Sequence, residues 1–75
     1  MYKTTSKEPR IVEAVQAARE GAKLSRRELS LRLKKSGNFI QKVESGDREL
    51  RVSEFVAIAR AIDVDPCDLL RAALK

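Results

Sequence analysis

Apolar residues recur along this chain at three- and four-residue steps, in short runs separated by helix-start and helix-stop signals. After Pro9, Ile11, Val15, Ala18 and Ala22 form one stripe, which predicts a first helix weakened near its end by Gly21. Ser25 is followed three residues later by Glu28, a capping box, and Leu24 and Leu29 flank the cap as a hydrophobic staple. A second helix therefore starts at Ser25, with Leu29 and Leu33 as its buried seam and Leu31 off it. At about nine residues it is too short to be stable alone and must dock. Lys34 and Lys35 turn the chain, and Ser36 is placed to cap a third helix over 37–45, ended by Gly46-Asp47. Val52, Phe55, Ile58, Ala59 and Ile62 predict a fourth helix over 52–62 with a wide apolar face. Asp65-Pro66-Cys67-Asp68 reads as cap, first-turn proline and acidic first turn, with Val64 and Leu69 as a second staple. The fifth helix it opens runs to about Leu74.

No stretch of useful length alternates apolar and polar residues, so strands are not expected. Residues 1–8 are polar and read as a flexible N-terminal arm, and 9–75 as one domain. The prediction is an all-α, compact five-helix domain with tight connections. The 20-residue segment from Ser25 to Glu44 has the size of a helix-turn-helix formed by helices two and three.

Composition narrows the chemistry. A chain of 75 residues holds one small core and no deep substrate cavity. It has no histidine, and its single cysteine, Cys67, makes neither an internal disulfide nor a zinc site. No nucleophile–base pair or metal-ligand cluster is apparent, so an enzyme is not expected, nor a metal or cofactor. No apolar run is long enough for a membrane span and no signal-peptide pattern opens the chain, so a cytoplasmic location is expected. The net charge is +5, and residues 23–51 alone hold nine basic and four acidic residues, a balance of +5. A basic half beside a near-neutral half fits either a solubilising surface or a polyanionic partner.

The third helix sharpens that choice. On a wheel of 100° per residue, Phe39, Ile40 and Val43 share one side. The opposite side carries Asn38, Gln41, Lys42 and Ser45, and no acid. Such a side is either an ordinary polar surface or a set of groove-reading donors. Amides pair with adenine N6 and N7, and lysine reaches guanine O6 and N7.

At this point the sequence resembles a known family. AxREGxKLSRRELS over 17–30, FIQKVESG over 39–46 and AIDVDPxxLL over 61–70 are similar, in order and spacing, to the Cro and phage-repressor type of helix-turn-helix protein, the XRE group. The resemblance implies a transcriptional regulator that reads double-stranded DNA with helix 37–45. Its base-reading positions fall on Gly37, Asn38 and Lys42, with Gln41 as a further candidate. Because Gly37 has no side chain, readout is expected to shift to the other three. Arg26 falls where the family anchors the second helix to phosphate, and Ser36, Lys35 and Arg48 fall near the backbone path. Arg27 joins this phosphate group from a more solvent-facing position. Arg19 and Glu44 occupy the family's pair of arginine in the first helix and glutamate at the end of the recognition helix.

The chain departs from the family in places. Lys34 stands where glycine is common, and Ser30 where alanine is usual at a close helix approach. Arg51 replaces an aspartate cap before the fourth helix, which reads either as a further phosphate contact or as tolerated drift. One short recognition helix reads few base pairs, so a homodimer on a palindromic operator is expected. Leu69 with Ala73 and Leu70 with Leu74 form two apolar edges of the last helix, one for the core and one, with Val64 or Val56, for a dimer contact. A repressor is the simplest mechanism, autoregulatory or serving a mobile element, with RNA polymerase as a further candidate partner. The alternative is an antitoxin or antiactivator module that keeps the fold and binds protein.

Overall fold

A computed structural model describes residues 5–75. The elements run β1 (Thr5–Ser6), α1 (Pro9–Gly21), α2 (Arg26–Arg32), α3 (Phe39–Glu44), β2 (Leu50–Arg51), α4 (Val52–Ala61) and α5 (Pro66–Ala73). The five helices pack around Val15, Leu29, Ile40, Val43 and Ile58, all essentially without solvent exposure, with Phe39, Leu50, Ala59 and Leu69 completing the core. This all-helical core agrees with the periodicity of the sequence.

Helix starts follow local chemistry. The Glu8 carboxylate accepts from the backbone N–H groups of Arg10 and Ile11 ahead of Pro9. Ser25 Oγ accepts from Glu28 N at 3.0 Å, and Glu28 Oε1 accepts from Ser25 N at 2.9 Å, closing the predicted box. Hydrogen bonding to the carboxylate by the Ser25 backbone N–H, and then by its side chain, holds the Glu28 carboxyl below its usual pKa. Asp65 accepts from Cys67 N at 2.7 Å at the head of α5.

Helix ends share one device. After α1, α2, α3 and α4 the next-but-one residue takes a left-handed conformation: Lys23 (φ 59°), Lys34 (φ 58°), Gly46 (φ 83°) and Asp63 (φ 61°). In each case paired backbone bonds close the end, as in Lys34 N to Leu31 O and Lys35 N to Ser30 O, both 3.0 Å. These are Schellman closures, which normally favour glycine. Here only one of the four has it.

Four features differ from the sequence reading. α3 begins at Phe39 rather than 37, and Ser36 does not cap it; its hydroxyl donates to Asn38 Oδ1 at 2.8 Å instead. Ala22 is exposed because it closes the end of α1, past the last turn that faces the core. Val52 is 63% exposed because it opens α4 before that helix turns inward. Thr5 and Ser6 pair antiparallel with Arg51 and Leu50. A two-residue ladder has no periodicity to read, since backbone groups alone make it. The remainder of the expected arm before Thr5 lies outside the described residues.

Lys34→Gly should relieve a left-handed side chain and stabilise the domain by about 1 kcal/mol, raising the thermal midpoint by about 4–8 °C. Calorimetry checks this. An unchanged or lower midpoint would mean that attraction of the ammonium to the α2 carbonyl terminus outweighs the strain.

Candidate nucleic-acid interface

α3 has six residues and cannot hold itself together in water. Three sets of contacts fix it. Its inner side, Phe39, Ile40 and Val43, is buried in the core. Its start is pinned by Ser30, a fully buried residue of α2 whose Oγ donates to Arg26 O at 2.7 Å and accepts from Ile40 N at 3.0 Å. Ile40 N–H is one of the donors that a helix start leaves without a partner. An alanine at 30 would orphan it in the core, at roughly 1–3 kcal/mol. Ser30 is small enough for the close helix approach, as alanine would be; its second role depends on where α3 lands.

The end of α3 is held by charge. Glu44, with a side chain 5% exposed, accepts from Arg19 Nε at 2.7 Å and Arg19 Nη2 at 3.2 Å. Arg26 Nε donates to the same carboxylate at 3.0 Å. Arg19 Nη1 donates to Leu24 O at 2.9 Å, just before α2. One carboxylate thus joins α1, α2 and α3. Arg26 remains half-exposed while bound to Glu44 through Nε.

A second cluster was not foreseen. Glu54 in α4, also nearly buried, receives the Arg48 fork at 2.8 and 3.0 Å, Lys35 Nζ at 3.1 Å and Arg51 N at 2.9 Å. The cations of Arg48 and Lys35 lie over the Phe39 ring, 4.7 and 5.4 Å from its centre. Burial pushes the Glu54 carboxyl up, but Arg48, the Arg51 N–H and Lys35 together outweigh it and hold the pKa at about 2. Glu54 also supplies the half of a capping box that Arg51 can join, through its backbone N–H; an arginine side chain has no acceptor for the other half. The signal for this cluster was a glutamate three residues after a non-capping residue.

The predicted contact residues therefore separate into groups. Ser36, Gly37, Asn38 and Gln41 line one open cleft with Ser25, Arg26 and Arg27, between the starts of α2 and α3, and no carboxylate is among its lining residues. Lys42 is exposed farther along α3, on the side away from the core. Lys35 and Arg48 lie with Glu54 and Phe39 instead, their charge already matched in part. Arg51 is exposed at the head of α4, where its backbone pairs with Thr5. On α5, Leu69 and Ala73 are buried, whereas Leu70 (43%) and Leu74 (55%) face outward. Val64 packs against the core. Val56 lines a depression with Leu33 and Ala57, whose lining includes neither Leu70 nor Leu74. Cys67 is exposed.

Two short helices crossing at a buried serine, with an acid-free cleft at their starts, define a helix-turn-helix protein. The helix-turn-helix family description matches residues 15–69. An XRE-family like protein from Pseudomonas syringae pv. tomato str. DC3000 is 31% identical, with a TM-score of 0.82 over 91% of this chain and 83% of that one. The clp gene regulator ClgR from Corynebacterium glutamicum shares the fold in two structures. The identities are 19% and 18%, the TM-scores 0.80 and 0.81, and the alignments cover 92% and 96% of this chain and 90% and 77% of theirs. No curated protein sequence matches. The chain belongs to the XRE-type helix-turn-helix family of non-enzymatic, DNA-binding transcription regulators. No helix among the described residues is long and apolar enough to cross a membrane.

Glu54 makes stability depend on acid. Its folded pKa lies below the unfolded value of 4.5, so its contribution is full above 4.5 and is lost as pH falls towards 2. Over that window the native protein should lose on the order of 3 kcal/mol more than Glu54→Gln. Denaturant midpoints at stepped pH check this; parallel acid profiles for the two proteins would refute it.

Proposed function

We propose that this protein is a sequence-specific regulator that represses transcription by occupying an operator in double-stranded DNA. The observation that carries this reading is the acid-free cleft between the starts of α2 and α3, with an exposed amide-and-lysine side running on from it along α3. The width of α3 suits the major groove. Asn38 and Lys42 read bases, Gln41 reaches a base or a phosphate, and Gly37 brings the backbone close to the duplex. Asn38 is pre-positioned by the Ser36 hydroxyl.

Arg26 and Ser36 take phosphate oxygens, and Arg26 does so while Glu44 fixes its other edge. Lys35 and Arg51 add weaker contacts at the rim, and Arg48 contributes mainly through the shape it gives the Phe39 cluster. Two copies pair through Leu70 and Leu74 and bring two α3 helices to a palindromic site one helical turn apart. Control of its own gene or of a mobile element, and action in the cytoplasm against RNA polymerase, are the setting that the family likeness supports.

Selection of bound fragments from random DNA, followed by salt titration on the selected site, tests the reading. Lys42→Ala should relax preference at one or two base pairs. Arg26→Ala should weaken every site alike and flatten the salt slope by about one. Sedimentation of the complex should give two chains per duplex. Failure to enrich any sequence, with binding to DNA absent at low salt, would overturn the proposal in favour of a protein-binding role.

A further inference from the structure

Gly37 poses a specific problem. Its φ is not in the left-handed region, so the backbone there accepts any residue. Space, not conformation, sets this position apart: a side chain there meets the movable tip of Arg27. A Cβ at 37 would overlap Arg27 Nη1 and stand 3.2 Å from Arg27 Cζ and 3.7 Å from its Cγ. The Arg27 side chain crosses from α2 and lays its guanidinium where a side chain at 37 would begin.

Arg27 differs from the other arginines of this region. Arg19 and Arg26 are tied to Glu44, and Arg48 to Glu54. Among the described residues, Arg27 has no hydrogen-bonding or ionic partner, although it is exposed and lines the same cleft as Asn38 and Gln41. Its planar set of N–H donors is uncommitted and sits at the start of the helix proposed to enter the groove.

Resting on the proposed DNA-reading function, we propose that Arg27 is a base-reading residue: it stands in for the side chain that Gly37 lacks and addresses a guanine edge beside the base read by Asn38. A guanidinium reaches guanine O6 and N7 with two parallel hydrogen bonds, a geometry that rejects other bases. Gly37 is then a clearance for Arg27. The two positions form one reading unit contributed by two helices. This differs from the phosphate contact that the sequence position of Arg27 suggests.

The test is fragment selection and affinity measurement with the full chain, Arg27→Ala, Gly37→Ala and the double variant, each shown to be folded by its thermal midpoint. Both positions lie away from the core, and the Arg27 tip is free to swing aside, so all three variants should melt close to the parent. In the parent, one guanine next to the Asn38 position should be strongly preferred. Arg27→Ala should lose that preference, by about ten- to a hundredfold, while neighbouring positions keep theirs. Gly37→Ala displaces the guanidinium and should relax the same position, and adding it to Arg27→Ala should cost nothing more. Uniform weakening of all sites by Arg27→Ala, with a flatter salt slope, would make Arg27 a phosphate ligand and overturn the inference while leaving DNA reading intact. Additive losses from the two substitutions would overturn the coupling. A parent that selects no sequence would instead defeat the function on which the inference rests.

Discussion

The arrangement depends on one buried carboxylate. Glu44 closes α3 and binds the guanidinium groups of Arg19 from α1 and Arg26 from α2. Two charges so far from water are tolerated because their donors and acceptors are matched: Arg19 uses its remaining edge on Leu24 O, and Glu44 both oxygens on arginines. Breaking such a group by removing one member typically costs about 3–5 kcal/mol, because the other is stranded. A six-residue helix has no comparable reserve of its own. The orientation of its outer side is therefore set in part by α1, an element far along the chain, together with α2 and the core.

A second consequence concerns charge. The basic excess between residues 23 and 51 suggests a uniformly cationic surface. In the folded protein it is divided. Arg26, Arg48 and Lys35 from this stretch, with Arg19 from before it, pair with two nearly buried glutamates, and in doing so organise the helices. Arg27 and Lys42 keep their charge for the exterior. Net charge in a stretch of sequence thus overstates what a partner meets, because part of it is internal mortar.

Much of the fold was legible. The Ser25–Glu28 box, the Asp65-Pro66 start and the stripes of α1, α4 and α5 are local signals, and local chemistry executes them. The pairing of Arg19 with Glu44 was reached through family resemblance, since nothing in spacing alone joins residues in different helices. What stayed hidden depends on tertiary placement. Ser30 acquires a role only when Ile40 N arrives beside it. Glu54 looks like an ordinary first-turn acid until Arg48, Lys35 and Arg51 converge on it. Ser36 seemed a cap and became a tether for Asn38, because α3 starts later than its polar flank suggests. Arg27 seemed a solvent-facing cation, and only the clearance at Gly37 reveals where its tip rests.

The bond between the Ser36 hydroxyl and the Asn38 amide has a thermodynamic meaning for encounter with a polyanion. A side chain already held still has little rotational freedom left to surrender when a complex forms, whereas long unpaired ones surrender about 0.5–1.5 kcal/mol each. Asn38 and Arg26 are immobilised in advance by Ser36 and Glu44. Gln41 and Lys42, exposed on the outer side of α3, are not held by comparable side-chain bonds among the described residues. Ordering on any such association therefore falls on them and on the unpartnered Arg27, while Asn38 and Arg26 form the part already held still.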